Sequence, residues 1–170
     1  ENSSDILVAL LAKFYYLIAN NFLAGKEFDD NEYQKNLNEV LNSLNALQDS
    51  ALDMKIKSLK SMVLQELALN DTRKGKDAIP LIDKINTLFD ESLSLKEECN
   101  DLPGIAINLG SRGSFYLYTL NDYKNAREYL KKDLDLVLKM GDQGAKTQLL
   151  NKLAMCDWLE SQDVKDDEKS

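Results

Sequence analysis

The fold of this chain is decided by the stretch Gly104-Ile-Ala-Ile-Asn-Leu-Gly-Ser-Arg-Gly-Ser114, which returns forty residues later as Gly144-Ala-Lys-Thr-Gln-Leu-Leu-Asn-Lys-Leu-Ala154. A fixed period of roughly 20 to 50 residues is typical of stacked repeats, in which each unit needs its neighbours to bury its apolar face. The repeated stretch therefore predicts a solenoid of helical hairpins, an architecture that is used for binding.

Composition favours helix throughout and a single domain. The chain has 170 residues, of which 44% are hydrophobic, with only 7 glycines and 2 prolines. That length suffices for a core, and the low glycine and proline content leaves few places to build a sheet. We predict an all-α repeat domain over residues 1–161, followed by a disordered acidic tail over 162–170 that has little to bury.

Apolar periodicity places seven helices in this domain. Large apolar residues recur at steps of three and four, and Asp, Asn, Pro and Gly mark the helix ends. Five of the predicted helices lie near residues 4–24, 50–70, 77–99, 103–120 and 143–161. The second follows Asp29 and Asp30 as caps and carries an apolar stripe from Tyr33 to Leu47, and the sixth runs from a cap at Asn121 or Asp122 to Gly141. Pro80 and Pro103 are assigned to the first turns of the fourth and fifth helices, where the missing N–H is not needed.

Charge and missing residue types exclude several functions. The chain carries 29 acidic and 21 basic residues, a net charge of −8, which argues against nucleic acid as a partner. It has no histidine, the commonest general base and metal ligand, so we expect no catalytic residue, metal or cofactor. An enzyme that uses carboxylates alone, such as a glycoside hydrolase, is the weakest alternative, because no paired acids are set across a cleft.

The apolar run at residues 6–19 predicts a buried first helix. Lys13 interrupts it and two asparagines end it, short of the roughly 20 residues that span a bilayer. We therefore expect no membrane insertion. Cys99 and Cys156 lie on apolar stripes, where we expect reduced thiols that pack in the core, in preference to a disulfide.

The fifth and sixth predicted helices resemble a tetratricopeptide (TPR) repeat. The turn between them reads Leu120-Asn-Asp-Tyr-Lys-Asn-Ala126, and the second helix ends in Met140-Gly-Asp-Gln-Gly144. The small residue of the family, its alanine twelve positions later and its large residue four positions after that fall on Ser114, Ala126 and Leu130. The resemblance is best over residues 103–160 and looser over 50–102.

Four positions depart from the family pattern. Gly110, Gly113, Leu117 and Asp133 stand where the family has Trp, Leu, Tyr and its second Ala, and the period of about 40 exceeds the usual 34. We therefore describe the chain as TPR-like. A related solenoid class built from longer helical pairs is the alternative.

The resemblance implies a right-handed superhelix of about three hairpins, with the last helix covering the open end of the core. It also implies a concave groove lined by the first helix of each hairpin, here the third, fifth and seventh predicted helices. Transferred to this sequence, the peptide-binding positions are Lys57, Lys60, Leu64, Asn108, Ser111, Arg112, Phe115, Tyr118, Asn151, Lys152, Met155 and Trp158.

Such a groove is basic and aromatic within an acidic protein. Lysine, arginine and asparagine side chains beside aromatic rings suit an extended peptide that carries carboxylates. The competing interpretation is that the aromatic residues belong partly to the core, because Phe115-Tyr-Leu-Tyr118 covers every side of its helix.

The glycine-rich segment Gly110-Ser-Arg-Gly-Ser114 has two interpretations. Backbone N–H groups near an arginine bind phosphate in some loops. Here no strand precedes the segment and no Lys-Ser or Lys-Thr follows its second glycine, so we favour close packing between neighbouring helices.

We expect a non-catalytic module that binds a protein or an extended peptide, and acidic peptides are among the expected ligands. The alternative is a ligand- or peptide-sensing regulatory region of a larger signalling protein. Because the chain begins at Glu1 without Met, we expect a processed or excised piece. The sequence leaves the compartment open, with the cytoplasm favoured, and it leaves the oligomeric state and the role of the basic loop near Gly75 open as well.

Overall fold

A computed structural model describes residues 2–24 and 29–167 of the chain, and the surroundings of the side chains at 2–23 and 29–162. Within these residues the structure contains α-helices, one 3-10 helix and no strand, so the all-α prediction is confirmed. The helices are α1 (Ser3–Ala24), α2 (Asp30–Ala46), α3 (Asp53–Thr72), the 3-10 helix (Gly75–Leu81), α4 (Ile82–Glu98), α5 (Leu102–Tyr118), α6 (Tyr123–Met140) and α7 (Gln143–Asp167).

Short polar side chains begin the helices at the positions that the sequence predicts. The carboxylate of Asp29 accepts hydrogen bonds from the first-turn N–H groups of α2, and that of Asp122 does so for α6. These caps satisfy N–H groups that have no partner inside the helix. At the other end of α6, Gly141 has a φ of 74°, the left-handed conformation that ends helices and that glycine adopts without strain.

Two segments differ from the prediction. Pro80 lies inside the 3-10 helix that precedes α4, so its assignment to the first turn of α4 is wrong. The last helix continues to Asp167, so residues 162–167 of the predicted disordered tail are helical, while residues 168–170 lie outside the described part. A helix can extend beyond its apolar stripe when it is already nucleated, because each added residue gains a backbone hydrogen bond.

Backbone contacts divide the chain into two compact units. The first comprises the described residues up to Lys74 together with Leu81–Asn100, and the second comprises Gly75–Pro80 together with the described residues from Asp101 onward. The first unit thus holds α1 to α4, and the second holds α5 to α7. The single domain over residues 1–161 stays a prediction.

The first unit is built around apolar stripes of its helices. The inward residues of α1, α2 and α3 are large aliphatic or aromatic side chains spaced three and four apart, which places them on one face of each helix. This core contains Leu7, Phe14, Leu17, Tyr33, Leu37, Val40, Leu44, Ile56, Leu59, Val63 and Leu67, with Leu88 of α4 packed against it.

The core of the second unit depends on a close approach of α5 and α6. A Cβ at Gly113 would lie 2.8 Å from Cγ of Leu130, and a Cβ at Gly110 would overlap the carboxylate of Asp133. Glycine inside a helix costs about 1 kcal/mol relative to alanine, and close packing offsets that cost. The preference for a packing role over a phosphate loop is therefore confirmed. The core itself contains Ala106, Tyr116, Leu117, Tyr123, Ala126, Leu130, Val137, Leu149 and Cys156.

The first helix has one buried and one exposed apolar face. Leu7, Phe14 and Leu17 are buried, but Tyr15 and Phe22 on the other side are exposed, so the expectation of a buried first helix holds for its inner face alone. Within Ser3–Leu23 an 18-residue stretch has a mean hydropathy of 1.6, and 17% of that stretch is buried. It has the length and composition of a membrane-spanning helix, as some core helices and signal sequences also do. The argument that this run is too short to span a bilayer is therefore wrong, and the absence of membrane insertion stays a prediction.

Both cysteines are unbridged, as expected. Cys156 is fully buried in the second unit, where burial raises the pKa of its thiol. Cys99 is half-buried and does not belong to the core of the first unit, so its predicted place in the core is wrong. Burial disfavours the charged thiolate, so Cys156 packs as a small apolar side chain.

Candidate functional site

A solvent-facing stripe runs along α5. Ile107, Ser111, Ser114 and Tyr118 are spaced four, three and four residues apart, which places them on one side of the helix. Ile107 and Tyr118 are each 58% exposed, and the two serines between them are half-buried. Two large apolar side chains therefore flank a short polar segment.

The seventh helix reaches this stripe through Lys152. Its Nζ donates a hydrogen bond to Oγ of Ser114 at 2.8 Å, and the Ser114 hydroxyl donates to the carbonyl of Gly110 at 2.7 Å. Met155 and Trp158 follow three and six residues later on α7, each turned about 60° further round the helix, and both are exposed, Trp158 by 57%. We refer to the stripe of α5 together with Lys152, Met155 and Trp158 as the α5–α7 face.

Ion pairs with α6 hold α7 in this position. Nε of Arg127 lies 2.8 Å from Oδ1 of Asp157, and the same guanidinium pairs with Glu160. Both hydrogen bonds raise the pKa of Arg127, and the bond to Glu160 contributes more than the bond to Asp157. Two acidic side chains of α7 are thereby engaged by α6.

A buried carboxyl group lies beneath the face. Asp133 of α6 is 5% exposed and packs against Gly110, and its Oδ1 has no hydrogen-bond partner among the described residues. Burial raises the pKa of this carboxyl to about 6, and the nearby charge of Lys152 partly opposes the shift. Taking a carboxylate out of water without a partner favours its protonated form.

Arg112 lies on the α6 side of α5, in contrast to its predicted place in the groove. Its guanidinium carbon is 4.5 Å from the ring centre of Tyr129, whose ring stacks on that of Tyr116. A guanidinium over an aromatic face gains a cation–π contact and covers the ring from water. Arg112 is accordingly buried and does not belong to the α5–α7 face.

Three further predicted groove residues are buried. Leu64, Asn108 and Phe115 are exposed by 3% or less, so they too are outside the α5–α7 face as we define it. For Phe115 this agrees with the competing interpretation that part of the aromatic cluster is core.

The predicted lysines of α3 lie in the first unit. Nζ of Lys57 is 2.9 Å from carboxylate oxygens of both Asp53 and Glu98, and these hydrogen bonds raise its pKa. Lys60 is half-buried. One of the two predicted α3 cations is therefore already neutralised by neighbouring acids.

Of the twelve predicted binding residues, those in the second unit that reach solvent are Ser111, Tyr118, Asn151, Lys152, Met155 and Trp158. Ile107 and Ser114 join the face without having been predicted. Their spacing from Ser111 and Tyr118 is a signal that the sequence contains, but the register taken from the family selected the neighbouring stripe of α5.

The first unit has a polar cluster of its own. Asp71 at the end of α3 is fully buried, and its carboxylate lies 2.6 Å from Nζ of Lys74 and 2.7 Å from Nζ of Lys84. Nε2 of Gln34 on α2 donates a hydrogen bond to Oδ1 of Asp71 at 3.1 Å. Burial raises the pKa of Asp71, but the two lysines outweigh it and leave the pKa below its usual value. This cluster joins α2, α3 and α4.

Two other features concern a cavity and the placement of possible metal ligands. An open cavity of about 620 Å³ lies at the turn between α2 and α3, and it contains none of the predicted binding residues. Its lining comprises Leu47, Gln48, Asp49, Ser50, Asp53 and Ile56. Among the described residues, no group of three Cys, Asp or Glu side chains is placed to hold a metal ion.

Comparison with known proteins adds no further assignment, since no protein family, curated protein or solved structure matches the chain.

Proposed function

We propose that this protein is a non-catalytic interaction module that binds an extended peptide on the α5–α7 face. The observation that carries the proposal is the exposure of Tyr118 and Trp158, each more than half accessible, on two helices that Lys152 and Ser114 join. Exposed aromatic side chains on a fixed backbone are the usual anchors of protein interfaces.

The polar part of the face suggests how a peptide is oriented. Lys152 uses one of its three N–H donors on Ser114, and Ser111 lies one turn away on the same stripe. Further donors of Lys152 suit a peptide carbonyl or carboxylate. With Arg112 buried, apolar anchoring contributes more of the affinity than the sequence predicted, and acidic residues of the ligand contribute less.

The repeat architecture is part of the same proposal. The hairpin of α5 and α6 followed by α7 has the order of a TPR-like repeat and the first helix of the next. We infer a right-handed TPR-like solenoid in which first helices line the binding surface. The close approach of α5 and α6 at Gly113 and Leu130 supports a tightly packed helical hairpin in the second unit.

The test selects ligands and then removes the anchors. A random peptide library is screened on the full chain, and selected peptides are titrated while the fluorescence of Trp158, the one tryptophan of the chain, is followed. We expect a shift in emission on binding and at least a tenfold loss of affinity in Tyr118→Ala. The matched control is Leu138→Ala, which removes an exposed apolar residue of α6.

Two results would contradict the proposal. One is that selected peptides leave the emission of Trp158 unchanged and bind Tyr118→Ala as tightly as the natural protein. The other is that Leu138→Ala loses as much affinity as Tyr118→Ala. Circular dichroism of each variant checks that the helices are retained.

A further inference from the structure

The exposed side of α1 carries a regular apolar seam. Val8, Tyr15 and Phe22 recur every seven residues, and Ala12 and Ala19 recur at the same interval between them. All five are exposed, Phe22 by 89%. A seven-residue repeat of apolar side chains is the pattern by which one α-helix packs along another. We call these five residues the outer seam of α1.

The seam is distinct from the face that α1 uses inside its own unit. Leu7, Phe14 and Leu17 point into the core of the first unit, whereas the seam lies on a neighbouring side of the helix that faces solvent. Because the inner face is already occupied, the outer seam is available to a second molecule. Large contiguous apolar patches on a protein surface mark contact sites.

We propose that the occupant of the outer seam is the α1 helix of a second copy of this chain, packed antiparallel about a two-fold axis at Tyr15. In that arrangement Val8 faces Phe22 of the second copy, Leu11 faces Ala19, and the two Tyr15 rings meet on the axis. Away from the axis, large side chains meet smaller ones, as interdigitated packing requires. A two-fold contact of this kind is self-complementary and closes without forming fibres.

The size of the seam agrees with a weak homodimer. Taking about 150–250 Å² for a whole aromatic side chain, the exposed parts of the seam and of Leu11 amount to roughly 500 Å² per copy. Complete burial of these parts in both copies would remove about 1,000 Å² from solvent, which is the lower limit for a specific protein interface. We therefore expect a weak dimer whose population depends on concentration.

The charges around α1 disfavour an anionic lipid surface as the occupant of the seam. Helices that lie on membranes carry lysine and arginine beside their apolar face. Between Ser3 and Leu23 the sole cation is Lys13, whose Nζ lies 3.0 Å from Oε2 of Glu39, and the chain has a net charge of −8. Such a surface has little attraction for anionic lipid.

The inner contacts of α1 also oppose insertion of the helix into a bilayer. Spanning the membrane would withdraw Phe14 and Leu17 from the core and would break the hydrogen bond of Asn21 to Glu66 at 3.4 Å. Pairing through the outer seam leaves all of these contacts in place.

The first experiment measures the oligomeric state. Sedimentation velocity of the full chain from about 1 to 300 μM should show a monomer that converts to a dimer. Tyr15→Glu should remain monomeric, because two charges would face each other at the two-fold axis. Leu138→Glu, which places the same charge on an exposed leucine of α6, should dimerise like the natural protein.

The second experiment tests the antiparallel register. In a Cys99→Ser background, Tyr15→Cys should form a disulfide-linked dimer under mild oxidation, because the two positions meet on the axis. Asn20→Cys, an exposed position of α1 away from the seam, should not. Equal cross-linking of the two variants would overturn the register.

Three outcomes would overturn the dimer itself. The first is a monomer over the whole concentration range. The second is a dimer that persists in Tyr15→Glu with unchanged helicity. The third is a monomeric chain that floats with phosphatidylcholine vesicles, while the Tyr15→Glu variant does not. The last result would assign the seam to lipid. None of these outcomes bears on peptide binding at the α5–α7 face.

Discussion

Lys152 Nζ lies 2.8 Å from Oγ of Ser114, so a charged side chain of α7 is hydrogen-bonded to the middle of the exposed stripe of α5. Ser114 donates in turn to the carbonyl of Gly110, the residue that packs against Asp133 of α6. Polar contacts therefore join α7 to α5, and Gly110, at which they end, packs against α6. The charge of Lys152 partly opposes the rise in the pKa of the Asp133 carboxyl group.

Replacing Lys152 by methionine should raise the pKa of Asp133 further. The positive charge of Lys152 lowers this pKa in the natural protein, and methionine keeps the length of the side chain without the charge. A carbon-detected NMR titration of the Asp133 carboxyl group measures the shift. Lys146→Met, on the same helix, is the control and should leave the midpoint in place. An unchanged midpoint in Lys152→Met would show that the two groups do not interact.

Replacing Asp133 by asparagine should abolish the fall in stability that the natural protein shows as the pH rises toward neutrality. The pKa of Asp133 is raised from 3.8 to about 6, so its contribution to stability is complete below about 3.8 and is lost as the pH rises through 6. At 1.36 kcal/mol per unit, the natural protein should lose on the order of 2–3 kcal/mol between pH 4 and pH 7.5 from this group. Urea unfolding of both proteins across this range measures the difference, with the exposed Asp135→Asn as control. Parallel pH profiles for Asp133→Asn and the natural protein would refute the assignment.

Replacing Asp71 by asparagine should have the opposite pH dependence. The folded pKa of Asp71 is lowered, so its contribution is present above the unfolded pKa of 3.8 and is lost as the pH falls through the folded value. At pH 7 the variant should be destabilised by about 1–3 kcal/mol, because Lys74 and Lys84 lose a buried partner. The deficit should shrink in acid. Thermal melts at pH 7 and pH 3 test this, and the exposed Asp83→Asn should match the natural protein at both.

Replacing Gly113 by alanine should destabilise the protein although alanine is the better helix former. The new Cβ would lie 2.8 Å from Cγ of Leu130, and overpacking of this kind costs about 1–3 kcal/mol, against the roughly 1 kcal/mol that alanine gains in a helix. Gly144→Ala is the matched control, because its Cβ would meet nothing closer than 3.4 Å. Chemical denaturation compares the two. Stabilisation by Gly113→Ala equal to that by Gly144→Ala would show that α5 and α6 are not in close contact there.

The sequence predicts the helices well because their ends carry local signals. Asp29 and Asp122 cap the helices that follow them, and Gly141 ends α6 in a left-handed conformation. Such signals act within a few residues and need no knowledge of tertiary structure. The 3-10 helix around Pro80 is one exception, since proline at a first turn is equally compatible with α-helix and with a tighter turn.

The candidate site is less predictable because burial depends on neighbours that are distant in sequence. A helical wheel of α5 places Arg112 and Ser111 side by side, and both are polar, so periodicity cannot decide which of them a neighbouring helix covers. Tyr129 of α6 decides it by stacking under the Arg112 guanidinium. The exposure of the outer side of α1 is unpredictable for a related reason. An apolar run shows which side chains avoid water, but it does not show whether other residues of the same chain bury them.

The paired contacts of Gly110 with Asp133 and of Gly113 with Leu130 fix how α5 and α6 can diverge in evolution. The two contacts lie three residues apart on each helix, so neither helix can slide or rotate without losing both. A larger residue at position 113 is tolerated if position 130 shrinks, and a side chain at 110 requires a smaller, uncharged one at 133. Orthologues of this chain should therefore change these positions in matched pairs. The hairpin should accept substitutions more readily at its solvent-facing positions than where α5 and α6 contact each other.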